Sequence, residues 1–151
     1  MARTLYTALL SLLLPLIPLR LWLRGRRQPE YREHWRERFG DYELAGGMAT
    51  IWIHAVSVGE TRAAQPLVQR LLTEYPAHRI LLTHMTPTGR ATSGELFGAN
   101  PRIASAYLPY DYPFAVRRFL DRFAPAAGLT AASQRLRATA CRLRGMAKLR
   151  L

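Results

Sequence analysis

Few side chains in this sequence stand where they could do chemistry, and the clearest is Glu60. It ends the stretch Ser57-Val58-Gly59-Glu60, after an apolar β-branched run and before a helical pattern. A carboxylate held at such a junction can take the proton of a hydroxyl as a new bond forms. Glutamate also completes helix starts, where the backbone favours negative charge, so the residues alone leave both uses open. A second loop, Met85-Thr86-Pro87-Thr88-Gly89, and a third over 109–113 follow two further apolar runs. His54 and His84 close the first two runs and lack a partner at dyad spacing, so each reads as a strand-end histidine with a satisfied hydrogen bond. Cys141 is the single cysteine, which excludes an internal disulfide, and no Cys/His cluster has metal-ligand spacing. No G-x-G-x-x-G or Walker loop follows any strand, so nothing points to a dinucleotide or P-loop site.

The elements that must position these residues alternate. Residues 50–56 are β-branched and apolar, as a buried strand requires. A tight turn over 57–60 follows, then a helix over 61–75 on the repeat of Ala63, Ala64, Leu67, Val68, Leu71 and Leu72, stopped by Pro76. The cycle repeats with a strand at 79–84, a loop at 85–89 and a short helix at 90–97. It repeats again with a strand at 103–108, a loop at 109–113 and a helix at 114–123. Strands alternating with helices imply right-handed crossovers and a parallel sheet. The fold class is therefore α/β, an incomplete Rossmann-like parallel sheet. All three loops fall at the carboxyl ends of the strands, the edge where such sheets bind ligands.

Ahead of the sheet lies a different kind of sequence. From residue 4 to 19 there is no charge, and the run stands between Arg3 and Arg20. At about 1.5 Å per residue it is near the lower limit for crossing a bilayer core of about 30 Å, and Pro15 and Pro18 interrupt its second half. The cationic flank of Arg20, Arg24, Arg26 and Arg27, with Trp22 and no small-residue cleavage site, favours an uncleaved anchor over a secretory signal. A buried core helix remains an alternative. Residues 28–40 put Tyr31, Trp35 and Phe39 on one helical stripe, suited either to a membrane interface or to packing on the chain's own domain. The net charge of +12 and the pI near 11.1 admit nucleic acid, an anionic membrane surface or an anionic substrate as partner. A length of 151 residues suffices for one ordinary domain and is short for two domains around a cleft.

Several blocks, in order, resemble one family. They are Leu5-Tyr6-Thr7-Ala8-Leu9-Leu10, Arg20-Leu21-Trp22-Leu23-Arg24-Gly25-Arg26, Tyr31-Arg32 with Trp35-Arg36-Glu37-Arg38-Phe39-Gly40, His54-Ala55-Val56-Ser57-Val58-Gly59-Glu60, Met85-Thr86-Pro87-Thr88-Gly89 and Tyr107-Leu108-Pro109-Tyr110-Asp111. Together they look like the N-terminal portion of the bacterial Kdo transferases. The resemblance implies a two-domain type B glycosyltransferase fold. It implies transfer of 3-deoxy-D-manno-octulosonic acid from CMP-Kdo to the lipid A precursor, lipid IVA, at the cytoplasmic face of the inner membrane. It maps the catalytic base onto Glu60, with Ser57 and Gly59 shaping the turn and Thr86, Thr88 and Gly89 offering donors to an anionic acceptor. No metal and no cofactor beyond the CMP-Kdo donor are implied, and no nucleic acid is expected.

The resemblance stops near Leu129. The family continues into a strand and an acidic segment, whereas this sequence has no acidic residue after Asp121 and carries Arg135, Arg137, Arg142, Arg144, Lys148 and Arg150. The expected organisation is a membrane anchor over 1–27, an amphipathic helical leader over 28–45, a partial Rossmann-like domain over 46–129 and an aberrant basic tail over 130–151. Such a chain would lack most of the donor site and be inactive alone. The alternative is a small basic protein binding membrane surfaces or nucleic acid, which the +12 charge supports and the ordered α/β loops oppose.

Overall fold

The computed structural model describes residues 16–44, 48–125 and 127–130. Its centre is a sheet of four parallel strands, β1 (Thr50–His54), β2 (Arg79–His84), β3 (Ile103–Tyr107) and β4 (Ala127–Thr130), in the order β3-β2-β1-β4. Ile51 pairs with Ile80 and Ala127, so β1 is an inner strand. Every residue of β1 is buried, as a strand covered on both faces must be. Alternation then sorts the side chains. Ile51, Ile53, Ile80 and Leu82 pack with Val68, Leu71 and Phe97 on one face. Trp52 and Leu81 pack with Tyr42, Phe119, Leu120 and Phe123 on the other.

Helices α2 (Val58–Ala63), α3 (Gln65–Glu74), α4 (Pro87–Phe97) and α5 (Pro113–Phe123) supply those covers. Three details differ from the sequence expectation. The helix expected over 61–75 is two, broken at Ala64, because Pro66 lacks an N–H and its ring crowds the carbonyl four residues back. The tight turn at 57–60 is the first turn of α2, and the loop at 85–89 is half helix. In both, a hydroxyl at the N-cap accepts the third amide of the helix: Ser57 Oγ from Glu60 N–H and Thr86 Oγ1 from Gly89 N–H. The third is β4, a strand that the sequence reading did not assign to this chain. It lies beside β1 with Leu129 opposite Ile53.

The leader is not one amphipathic helix. A nine-residue helix, α1 (Leu16–Arg24), is followed by two 3₁₀ turns, Pro29–Arg32 and Trp35–Phe39. Between them Glu33 is extended and His34 left-handed, at φ 50°, so Tyr31, Trp35 and Phe39 do not share a stripe. Gly40 closes the second turn at φ 83°, where a Cβ would lie 2.7 Å from the Ala115 carbonyl oxygen; glycine meets both conditions. Beyond it Tyr42 enters the core and donates its hydroxyl to the Tyr107 carbonyl at 3.0 Å. Among the described residues no helix is long and apolar enough to cross a membrane. The anchor expected over 1–27 falls mostly on residues 1–15, outside the described residues, as does the basic tail beyond residue 130.

Candidate functional site

The carboxyl edge of the sheet gathers the sequence-predicted residues at the adjacent starts of α2 and α4. Ser57 caps α2, and Glu60 turns back so that its Oε2 accepts the Val56 N–H at 2.8 Å. This is a capping box displaced by one residue. The main chain thus fixes the carboxylate through one oxygen, and no hydrogen bond among the described residues reaches the other. Gly59 is exposed, and a Cβ there would meet nothing nearer than Ser57 Oγ at 4.0 Å. Packing does not demand glycine at this position, and the space above it is open to a ligand.

On the neighbouring loop Thr86 is half-buried and caps α4, while the exposed Thr88 donates its hydroxyl to Thr86 Oγ1 at 3.3 Å. Gly89 works differently from its expected role as a ligand donor. Its N–H is taken by Thr86, and a Cβ would sit 3.2 Å from Thr86 Oγ1, 3.5 Å from His84 Nδ1 and 3.7 Å from the Val56 carbonyl. Its lack of a side chain lets α4 start against the end of β1, which is how the Ser57–Glu60 turn and the Thr86–Thr88 cap come to be neighbours.

Both histidines are satisfied beneath this edge. His54 Nδ1 donates to the Thr83 carbonyl at 3.0 Å and lies 2.9 Å from Thr83 Oγ1, which also accepts Trp52 Nε1–H at 2.8 Å. Burial lowers its pKa, against the opposing pull of the Thr83 bond and of Glu60. His84 Nδ1 donates to the Ala55 carbonyl at 3.1 Å, with Ser105 Oγ 3.2 Å from Nε2 and Ser93 Oγ 2.8 Å beyond. Burial pushes His84 down to about 4, so the ring is neutral and supports β1 from below.

Sequence reasoning missed a charged cluster at the same edge. Glu37, on the second 3₁₀ turn, forms a forked ion pair with Arg90 of α4, and its Oε2 accepts the Tyr107 N–H at 2.7 Å. Arg38 is 2% exposed, reaches the Met85 carbonyl with both terminal nitrogens at 3.3 Å and lies 4.0 Å over the Tyr107 ring. Desolvation raises the Tyr107 hydroxyl pKa, with Arg38 and Arg90 opposing. The helical stripe expected over 28–40 assigned no role to Glu37 or Arg38; the available signal was Gly40, which ends the turn that buries them. Among the described residues no three His, Cys, Asp or Glu side chains gather as a metal site would need.

A parallel α/β sheet covered by helices on both faces, with capped helix starts along its carboxyl edge, defines a domain of the Rossmann-like class. Residues 33–134 match the family of 3-deoxy-D-manno-octulosonic-acid transferase (kdotransferase), and the chain belongs to that family. It is 48% identical over 136 residues to the 3-deoxy-D-manno-octulosonic acid transferase of Bordetella pertussis, covering 85% of this chain and 31% of that protein. The protein of the same name from Haemophilus influenzae is 40% identical over 127 residues, covering 83% and 29%. That of Aquifex aeolicus is 35% identical over 93 residues, covering 59% and 24%. The chain therefore spans about a third of the length of the first two relatives. No solved structure matches it significantly.

Proposed function

We propose that this chain forms the acceptor-side domain of a glycosyltransferase that moves Kdo from CMP-Kdo to a lipid A precursor, with Glu60 as general base. The observation that supports it is Glu60 itself, oriented through Oε2 by the Val56 amide at the edge where α/β sheets take ligands, within the segment that matches the family. Oε1 accepts the proton of the acceptor hydroxyl while that oxygen bonds to the anomeric carbon of Kdo. The bond from that carbon to the phosphate oxygen breaks, and CMP leaves with the electron pair. Ser57 and Gly59 leave room for the acceptor, and the Thr88 hydroxyl with the Thr86 cap meets its anionic groups. The CMP-Kdo site lies mostly on the part of the enzyme that the relatives have beyond this match. The setting is the cytoplasmic face of the inner membrane, among membrane lipids.

Glu60→Gln tests the assignment because the amide oxygen still accepts the Val56 N–H but cannot take a proton. With the chain completed by the rest of the Bordetella pertussis relative, turnover falls about 10²–10⁴-fold with an unchanged melting temperature. Glu60→Ala also loses the helix-start bond and about 0.5–2 kcal/mol of stability. Near-normal turnover in a well-folded Glu60→Gln enzyme removes the base from Glu60.

A further inference from the structure

The charged turn of the leader has no part in the chemistry above, yet it carries a buried carboxylate beside a buried guanidinium. Glu37 is 7% exposed and Arg38 2%, and each spends its charge on main chain far away in sequence. Glu37 holds the amide of Tyr107, the last residue of β3, and clamps Arg90 on the first turns of α4. Arg38 holds the carbonyl of Met85, the residue that leads from β2 into the Thr86 cap. Its own carbonyl accepts the Tyr110 N–H at 2.8 Å, in the third edge loop. Replacing buried charges by apolar groups of like volume is commonly neutral or stabilising, and Arg38 Nε is buried with no partner among the described residues. Stability alone therefore does not account for the cluster. What charged hydrogen bonds add is direction: each fixes one backbone group at one angle.

We propose that Glu37 and Arg38 are positioning residues that set two of the three carboxyl-edge loops, 85–89 and 109–113, in the geometry that presents Thr86 and Thr88 to the acceptor. The role rests on the reading of that edge as the acceptor site, while the setting of the loops is measurable without it. Through Met85 the clamp reaches the Thr86 cap, and through Tyr107 it reaches the end of β3. Glu60 is held separately, through the Val56 amide.

The test is site-resolved amide hydrogen exchange on the full 151-residue chain in detergent, with melting temperature measured alongside. Glu37→Ala should speed exchange at Tyr107 by about 10- to 100-fold, the loss expected for a hydrogen bond to a charged group. Ile53 and Leu81 on the inner strands should stay unchanged. Glu37→Gln keeps an acceptor for the Tyr107 N–H and should restore its protection to within about threefold. Arg38→Lys keeps the charge but not the fork, and should speed Gly89 and Arg90 selectively. The proposal is overturned if Glu37→Ala speeds all amides alike with a matching fall in melting temperature, if Gln gives no rescue, or if Arg38→Lys leaves the α4 cap untouched. Should Glu37→Ala not fold, the Gln and Lys variants decide by the same criteria. None of these readouts depends on whether Glu60 is a base, so either idea can fail alone.

Discussion

Lowering the pH should destabilise this protein through His84 before its carboxylates are all protonated. The ring is buried and neutral, donating through Nδ1 to the Ala55 carbonyl, and burial takes its pKa from 6.5 to about 4. In the unfolded chain the imidazole protonates near its ordinary value, so between these two values the unfolded state binds more protons than the folded one. Stability is complete above about pH 6.5 and is lost as the pH falls toward 4, at up to about 1.4 kcal/mol per unit. The total is roughly 3 kcal/mol, a large share of the 5–15 kcal/mol typical of a domain. His54 is shifted in the same direction, and carboxylates contribute lower down, so the measurement must be differential. In His84→Asn the side-chain amide still donates to Ala55 but does not titrate. Urea unfolding of both proteins at pH 7, 6, 5 and 4 should show the wild type losing about 3 kcal/mol relative to the variant. Two curves running parallel across that range refute the reasoning.

Gly40→Ala should destabilise the chain by about 1–3 kcal/mol, because the new methyl meets the Ala115 carbonyl oxygen at a positive φ; thermal melting checks it, and an unchanged midpoint rejects the strain. Deleting residues 1–27 should release the protein from membranes, since the apolar run and its arginine flank go together. Fractionation in low and high salt checks it, and an equally membrane-bound remainder places the attachment elsewhere.

The parallel sheet was legible because β1 and β2 are apolar runs long enough to declare themselves and are separated by helical repeats. The edge loops were legible for the same reason, and Glu60 stood out as the carboxylate between a strand and a helix. What the sequence concealed were features set by contacts distant in the chain. Pro66 falls inside the apolar helical repeat over 61–75, and the carbonyl it crowds turns that one repeat into two helices. The leader reads as a helix by the spacing of Tyr31, Trp35 and Phe39, yet tertiary packing draws Glu37 and Arg38 under the edge and forces His34 left-handed. Thr86 also caps the next helix, a role that a threonine followed by proline at the first helical position could have signalled.

The bond from Glu37 to Tyr107 spans 70 residues, and that from Tyr42 to Tyr107 spans 65. During synthesis the first of these side chains emerges with nothing to receive it. At about 5–20 residues per second, its partner follows several seconds later. Until β3 is made, a carboxylate, a guanidinium and a tyrosine destined for the interior stand in water beside an apolar leader. Chain order thus sets a timetable: β1 and β2 can pair early, while residues 37–42, translated before them, are among the last to be seated. A nascent protein in that interval exposes apolar surface of the kind that chaperones and membranes capture.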